Sequence, residues 1–294
     1  MNKDLLPNGF IGVDIFFVIS GYLITSIILK SLTEKSFCIR LFWKKRFLRI
    51  YPVMSTVIFF TLVFYCIFIY YPGIDKKALS ALSALLSSSN IYFWWIKEGY
   101  WDSSPIHSPF IHMWSLSVEE QFYLLLPIFL SIFYRKGSIF IIILILITIS
   151  SFLLYLNFLN LYQTSTFYLL PTRLWEFGFG CIISVLHFKK YTFKLNLYLL
   201  NLLHFLSIFL VLFSQNNSYT LINPVFTSVL GCSLLLYFKS KKTIIVRCLS
   251  SNFSTHFGKL SYSLYLWHWP ILSVFEFFEI KEYYLIKYIV ILYT

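Results

Sequence analysis

Charged residues are scarce in this sequence. Of its 294 residues only 12% are charged, whereas a soluble globular domain carries about 25%. Hydrophobic residues make up 59% and aromatic residues 21%. So few charges could not cover a soluble domain with a hydrated surface, and so apolar a chain would not remain disordered. The composition predicts a multi-pass membrane protein, and the fold class we expect is an all-α polytopic transmembrane helix bundle.

Common chemical signatures are also missing. The five cysteines have neither the CxxC pattern nor the spacing of a metal site. Nothing resembles a P-loop, a GxSxG nucleophile elbow or a metal cluster. We therefore expect no metal and no bound cofactor. The two halves show no internal repeat, which many transporters have. A transporter or flippase for a lipid-linked glycan nevertheless remains an alternative at this point.

Apolar runs give the predicted topology. A spanning helix needs about 20 mostly apolar residues. Eight runs meet that length approximately, at 10–29, 51–71, 116–134, 138–158, 168–187, 195–213, 221–238 and 260–279. A ninth run begins near Tyr283 and stops at Thr294, which is too short to span. The serine-rich stretch 78–95 is only weakly apolar, and we expect an interfacial or re-entrant helix there.

The basic residues lie mainly on one predicted side of the membrane. The connections 30–50, 135–137, 188–194 and 239–259 fall on the same side and hold 17 of the 24 Lys and Arg residues. The positive-inside rule places that side in the cytoplasm. This distribution accounts for the formal net charge of +12 without nucleic-acid binding, so no nucleic acid is expected as a partner.

Ionisable residues inside apolar runs cost about 2.5–3.5 kcal/mol each on insertion scales, so each is a candidate site residue. Asp14 lies about one turn into the first run, and it could equally cap the start of the helix. Glu119 and Glu120 lie at the start of the third run, where a Ser115 or Ser117 cap and the helix dipole are the alternative explanation. Neighbouring acids project about 100° apart, so only one is expected to face the bundle interior.

Four further residues are candidates. Arg173 and Glu176 are spaced i,i+3 and can form an ion pair on their own helix, with either a structural or a catalytic role. His268 lies between two tryptophans and is more simply read as a hydrogen-bonded core residue than as a base. His112 is expected at the extracytoplasmic mouth, where it could contact a substrate.

The segment 35–51 contains the densest group of basic residues. Arg46 and Arg49 share one face if the segment is helical, a pattern that suits a polyphosphate or an adenine nucleotide. The alternative is ordinary anchoring of the segment to anionic membrane lipids.

Five motifs occur in a characteristic order. They are GFIGVDIFFVISGYLIT, KKRFLRIYP, HMWSLSVEEQFYLLLP, RLWEFGFG and LSYSLYLWHWP. Together they cover essentially the whole chain, 1–294, which resembles the membrane acyltransferase 3 family. The closest similarity is to the branch of O-antigen and other surface-polysaccharide O-acetylases.

The resemblance implies a membrane O-acyltransferase of the bacterial inner membrane. Such an enzyme passes an acetyl group from cytoplasmic acetyl-CoA, its donor substrate, to a hydroxyl of a surface glycan. The family pattern assigns acyl-CoA binding to Arg46 and Arg49, and it favours Asp14 and Glu119 as catalytic residues.

The sequence departs from the family at both ends. The family's first helix carries an Arg and a His that acts as the base, and it would precede the segment matching 2–10; no His occurs here before His107. The last core helix also stops early, and no extracytoplasmic esterase-like domain is expected. An inactive, truncated remnant of such an enzyme is therefore a further alternative.

Overall fold

A computed structural model describes residues 11–68, 74–100, 107–191, 193, 195–216, 223–240 and 242–278. Within these residues all regular structure is helical and no strand occurs. The helices are α1 Ile11–Thr33, α2 Ile39–Phe68, α3 Ile74–Leu85, α4 Ser89–Trp95, α5 Met113–Phe133, α6 Ser138–Phe158, α7 Gln163–Tyr168, α8 Leu170–Phe188, α9 Leu197–Asn216, α10 Pro224–Tyr237, α11 Ile244–Leu249 and α12 Asn252–Phe277.

In the part of the chain that the structure describes, six helical segments are long and apolar enough to cross a membrane. They are Ile11–Thr33, Ile39–Phe68, Met113–Lys136, Ile139–Phe158, Gln163–Phe188 and Leu197–Ser214. They coincide with the first six predicted runs, which confirms the all-α polytopic helix bundle. The seventh predicted run falls on the shorter apolar helix α10. The eighth falls within α12, which is not among the six. The ninth lies outside the described residues, so the total of eight complete spans stays a prediction.

Helix α2 begins well before the predicted run at residue 51. It starts at Ile39 and carries most of the basic segment 35–51 as regular helix. Lys and Arg are good helix formers because their unbranched side chains lose little freedom there. Arg46 and Arg49 therefore do share one helical face.

The predicted run 168–187 is interrupted at its start. Leu169 has an extended backbone, with φ −86° and ψ 137°, and separates α7 from α8. Pro171 follows two residues later and cannot supply a backbone N–H to α7. The Thr172 hydroxyl bonds the Leu169 carbonyl at 2.8 Å and the Thr166 carbonyl at 3.1 Å. This side chain satisfies carbonyls that the helix end leaves free.

The chain forms two compact units, each described separately below. Unit 1 contains residues up to Phe37 together with Leu126–Tyr155 and Arg173–His256. Unit 2 contains Cys38–Leu125, Leu156–Thr172 and the residues from Phe257 onward.

In unit 1, helices α1 and α8 cross at two glycines. A Cβ on Gly180 would lie 2.0 Å from the Val18 carbonyl oxygen, and one on Gly21 would lie 2.2 Å from the Phe177 carbonyl oxygen. The rings of Phe17 and Phe177 stack beside this contact with centroids 4.4 Å apart. Small residues of this kind let membrane helices approach until their backbones touch.

In unit 2, the serine-rich stretch forms two short helices, α3 and α4, instead of one. Their polar groups find partners inside the unit. The Ser89 amide donates to Ser117 Oγ at 3.1 Å, and Asn90 and Gln121 exchange side-chain hydrogen bonds of 2.8 and 3.3 Å. Such pairing lets non-spanning polar segments lie within an apolar bundle. The interfacial or re-entrant position of this stretch remains a prediction.

The glycine contact between α1 and α8 can be tested by adding one methyl group. We expect Gly180→Ala to destabilise the protein by about 1–3 kcal/mol, because the added carbon meets rigid backbone rather than a movable side chain. Thermal unfolding in detergent, followed by helical circular dichroism, measures the change.

Gly258→Ala is the matched control. Gly258 also lies in a helix, but a Cβ there meets nothing within 4 Å. Alanine should leave its stability unchanged or raise it by up to about 1 kcal/mol through helix propensity. Equal effects of the two variants would contradict the close-contact assignment.

Candidate functional site

Unit 1 buries an ion cluster made of Asp14, Arg173 and Glu176. Nη1 of Arg173 lies 2.9 Å from Asp14 Oδ1 and 2.8 Å from Glu176 Oε1. The three residues are 1%, 3% and 0% exposed. Helix α8 supplies the i,i+3 pair, and α1 brings Asp14 across to it. The predicted pair on α8 is therefore present, but with a third member.

The ion cluster contains one more acid than base. Asp14 Oδ2 and Glu176 Oε2 are buried and find no hydrogen-bond partner among the described residues. Two ionised carboxylates beside one guanidinium leave a net negative charge in an apolar surrounding, which is energetically costly. A proton on either carboxyl group, or a bound cation, would remove that excess.

Unit 2 contains a polar stripe along one face of α5 and the turn before it. Its members are His112, Ser115, Glu119 and Tyr123, separated by three, four and four residues. That spacing puts them on one face over about 16 Å of helix rise. The Tyr123 hydroxyl donates to Glu119 Oε1, and the Ser115 and Tyr265 hydroxyls lie 2.6 Å apart.

Arg46 lies at one end of the polar stripe. Its guanidinium carbon is 4.7 Å from the centroid of the Tyr123 ring, a cation–π arrangement. On the same helix, Trp43 Nε1 donates to the Tyr123 carbonyl at 3.2 Å. Pro127, four residues on, has no N–H to give this carbonyl, so the indole supplies the donor instead. Arg46 is half-buried, whereas Arg49 is exposed.

His112 and His268 lie at the other end of the polar stripe. Their ring centroids are 5.1 Å apart, nearly perpendicular. His112 Nε2 lies 3.2 Å from the Leu266 carbonyl oxygen. Pro270 leaves this carbonyl without its helical partner. His268 Nδ1 meets the Tyr265 carbonyl on its own helix. Burial and the neighbouring His268 lower the pKa of His112 well below its ordinary value.

The geometry decides several alternatives that the sequence left open. Helix α5 begins at Met113, so Glu119 and Glu120 lie in its second turn. Ser115 bonds Tyr265 rather than capping the helix, so the capping interpretation of the two acids is wrong. Glu119 is 3% exposed and Glu120 is half-buried, so Glu119 is the acid that faces the interior.

The candidate residues thus divide between the units. Unit 1 brings together Asp14, Arg173 and Glu176, and unit 2 brings together Arg46, Glu119, His112 and His268. Arg49 remains apart at the surface. The roles assigned to all these residues stay predictions.

Sequence reasoning missed two tyrosines. Tyr123 bonds Glu119 and holds Arg46, and the Tyr265 hydroxyl donates to the His112 carbonyl at 2.6 Å. The spacing of Tyr123 four residues after Glu119 is the available signal for the first. Tyr265 had no comparable signal, because its partners are 150 and more residues away in the chain. Across the described parts of the chain, no three His, Cys, Asp or Glu side chains converge as a possible metal site.

Comparison with protein families gives a match across nearly the whole chain. The family model described as "Acyltransferase domain" matches residues 2–292. Among curated proteins, an uncharacterized protein of Haemophilus influenzae is 34% identical over 247 residues, which are 79% of this chain and 100% of that protein.

Two named relatives are longer than this chain. The peptidoglycan O-acetyltransferase OatA of Listeria monocytogenes is 28% identical, covering 93% of this chain and 46% of the relative. The O-acetyltransferase OatA of Staphylococcus aureus is 30% identical, covering 92% of this chain and 47% of the relative. The chain therefore spans about half the length of these relatives. No solved structure matches the fold significantly.

The ion cluster generates a stability prediction. Arg173→Ala leaves two buried acids without a cation, and removing one partner of a buried pair costs about 3–5 kcal/mol. We expect the variant to unfold at a clearly lower temperature in detergent, or to fail to accumulate in membranes. Lys30→Ala is the control, because the Lys30–Glu34 pair is exposed and 4.0 Å long; it should unfold like the parent protein.

Asp14→Asn tests whether the cluster depends on the negative charge of Asp14 or on its hydrogen bond with Arg173. It keeps an oxygen that can accept from Arg173 and removes the excess negative charge, so we expect near-parental stability. A loss as large as that of Arg173→Ala would show that the cluster needs both carboxylates ionised.

Proposed function

The chain belongs to the acyltransferase domain family, and from this premise we propose that it is a membrane O-acyltransferase. It transfers an acyl group, in the simplest case acetyl, from acyl-CoA at the cytoplasmic face to a hydroxyl of a cell-surface glycan. Its place is the bacterial inner membrane, where both substrates can be reached from opposite sides.

The observation that carries the proposal is the position of Arg46. The Tyr123 ring holds the guanidinium half-buried at one end of the polar stripe. Among the described residues its contacts are with the Phe42 and Tyr123 rings and, through charge, with Glu120. These contacts leave the planar donor set able to bind an anion. A phosphate of the donor nucleotide provides the complementary group.

Arg49 lies one turn further along the same face of α2 and is exposed. Two arginines one turn apart can contact successive phosphates, which distinguishes donor binding from lipid anchoring by the whole basic segment. Lys44 and Lys45 are exposed, lie directly before Arg46 on the same helix and provide an internal comparison.

The transfer reaction requires a base and a group that stabilises negative charge. The acceptor hydroxyl must lose a proton to a nearby base, and the thioester oxygen gains negative charge in the transition state. In unit 2 the cation Arg46 and the stripe acid Glu119 both contact Tyr123. A cation at one end of the stripe is therefore combined with proton-accepting groups along it.

For the acceptor we propose a sugar hydroxyl of a bacterial surface glycan. The Listeria relative is named for peptidoglycan, and the motif resemblance suggests O-antigen or another surface polysaccharide. Both offer the same chemical group to the enzyme, a secondary or primary sugar hydroxyl, so the assay must separate the two sources.

The test uses the full chain in proteoliposomes with radiolabelled acetyl-CoA inside. Peptidoglycan fragments or O-antigen polysaccharide are supplied outside, and alkali-labile acetate on the glycan is measured. Transfer to one glycan identifies the acceptor. Glycan movement without acetyl-CoA would favour the transporter alternative, and absence of acetate on every glycan would contradict the proposal.

Arg46→Ala tests the donor site in that assay. Loss of charge-assisted hydrogen bonds worth about 1.5–3 kcal/mol should lower kcat/KM for acetyl-CoA about 10–100-fold. Arg49→Ala should act in the same direction and less strongly, because its side chain is exposed. Lys44→Ala is the matched control, and an equal loss there would indicate general attraction by positive charge instead of a donor site.

A further inference from the structure

One ring nitrogen of His112 has no hydrogen-bond partner among the described residues. Its Nε2 faces the Leu266 carbonyl oxygen at 3.2 Å. A carbonyl oxygen only accepts hydrogen bonds, so Nε2 carries the proton and Nδ1 keeps a lone pair. The side chain is fully buried, and no described residue donates to Nδ1. A buried acceptor left unpaired is unfavourable, which suggests that a hydrogen-bond donor from a ligand occupies this position.

The ring is held in place from two sides. The Tyr265 hydroxyl donates to the His112 carbonyl at 2.6 Å, and the perpendicular His268 ring packs against the imidazole. The low pKa of His112 keeps the imidazole neutral. The low pKa makes the ring a weaker base than a free imidazole, but its neutral state and fixed orientation leave Nδ1 able to take a proton from a bound hydroxyl.

Aromatic rings extend from this point within unit 2. Trp269 lies 6.5 Å from the His112 ring centroid, and Tyr100 lies 5.5 Å from Trp269. Phe167 lies 5.4 Å from Tyr100 and 4.4 Å from Trp114. Trp114 and Trp269 are buried, whereas Tyr100 and Phe167 are partly exposed and offer apolar contact area with polar groups nearby. That combination suits a sugar, which has an apolar C–H surface and hydroxyls at its edge.

We propose that Nδ1 of His112 is the base that takes the proton from the acceptor hydroxyl, and that the aromatic rings beside it receive the sugar. This proposal rests on the acyl transfer proposed above. The hydroxyl oxygen attacks the thioester carbon, the C–S bond breaks and an ester C–O bond forms. The proton passes to Nδ1 and then to the departing CoA thiolate, so the products are the acylated glycan and free CoA thiol.

His268 is the competing base. Its Nδ1 faces the Tyr265 carbonyl, so Nε2 is its remaining acceptor, and the residue is half-buried. The two histidines can be distinguished because glutamine imitates the Nε2 position of histidine and asparagine imitates the Nδ1 position. His112→Gln keeps a donor toward Leu266 and removes the base. His268→Asn keeps a donor toward Tyr265 and removes its free nitrogen.

The experiment measures acetyl transfer by the full chain in proteoliposomes. His112→Gln should lower kcat by about 10²–10⁴-fold, the usual contribution of a positioned base, with the KM for acetyl-CoA unchanged. His268→Asn should lose much less. The exposed residue His256 provides the control His256→Gln, which should match the parent protein. A larger loss in His268→Asn than in His112→Gln would overturn the assignment.

A second measurement tests the proposal without relying on catalytic turnover. In protein labelled with ¹⁵N-histidine, His112→Gln identifies the His112 signals, and peptidoglycan fragments or O-antigen polysaccharide are then added in separate titrations. We expect Nδ1 to have the shift of an unprotonated nitrogen and to move on addition of one glycan. A protonated Nδ1, or no movement with either glycan, would overturn the proposal. Movement without acetyl transfer would instead contradict the proposed function while supporting the glycan site.

Discussion

Hydrogen bonding inside an apolar bundle is the constraint on which the described structure depends. A proline within a helix removes one N–H and leaves the carbonyl four residues earlier unpaired. In water such a carbonyl would be hydrated, but within a membrane the protein itself must supply a donor. In unit 2 two ring N–H groups from other segments do so: Trp43 of α2 reaches the Tyr123 carbonyl, and His112 in the turn before α5 reaches the Leu266 carbonyl. Pro127 and Pro270 thereby position residues that they do not touch through their own side chains.

The same constraint explains what the sequence could predict. Apolar runs of sufficient length predicted six spanning segments, because lipid selects for length and hydrophobicity alone. Local spacing predicted the Arg173–Glu176 pair and the different orientations of Glu119 and Glu120. It could not predict that Asp14 joins that pair, since the two helices are separated by 159 positions in the chain. The two glycines that bring α1 and α8 together explain the approach only after the contact is known.

The wrong expectations have a common physical origin. Serine near a helix start usually caps it, and acids nearby usually respond to the helix dipole. Here Ser115 bonds Tyr265 and Ser117 accepts from the Ser89 amide. Both hydroxyls have partners from other segments, so tertiary hydrogen bonding replaces the local rule. The unexpected early start of α2 has the opposite cause: helix propensity of Lys and Arg extends it to Ile39.

The Leu266 carbonyl fixes the tautomer of His112, and this determines how the ring can react. A carboxylate beside a histidine nitrogen would orient the ring and also favour its protonated form, whereas a carbonyl orients the ring with only a dipole. In a buried position the neutral ring has a lower free energy than the charged ring. His112, held by the Leu266 carbonyl, is therefore prepared to accept a proton without first having to lose one. The cation of unit 2, Arg46, lies beside the ring of Tyr123, eleven positions along the chain from His112. The first turns of α5 separate Arg46 from His112, so positive charge stays away from Nδ1 of His112.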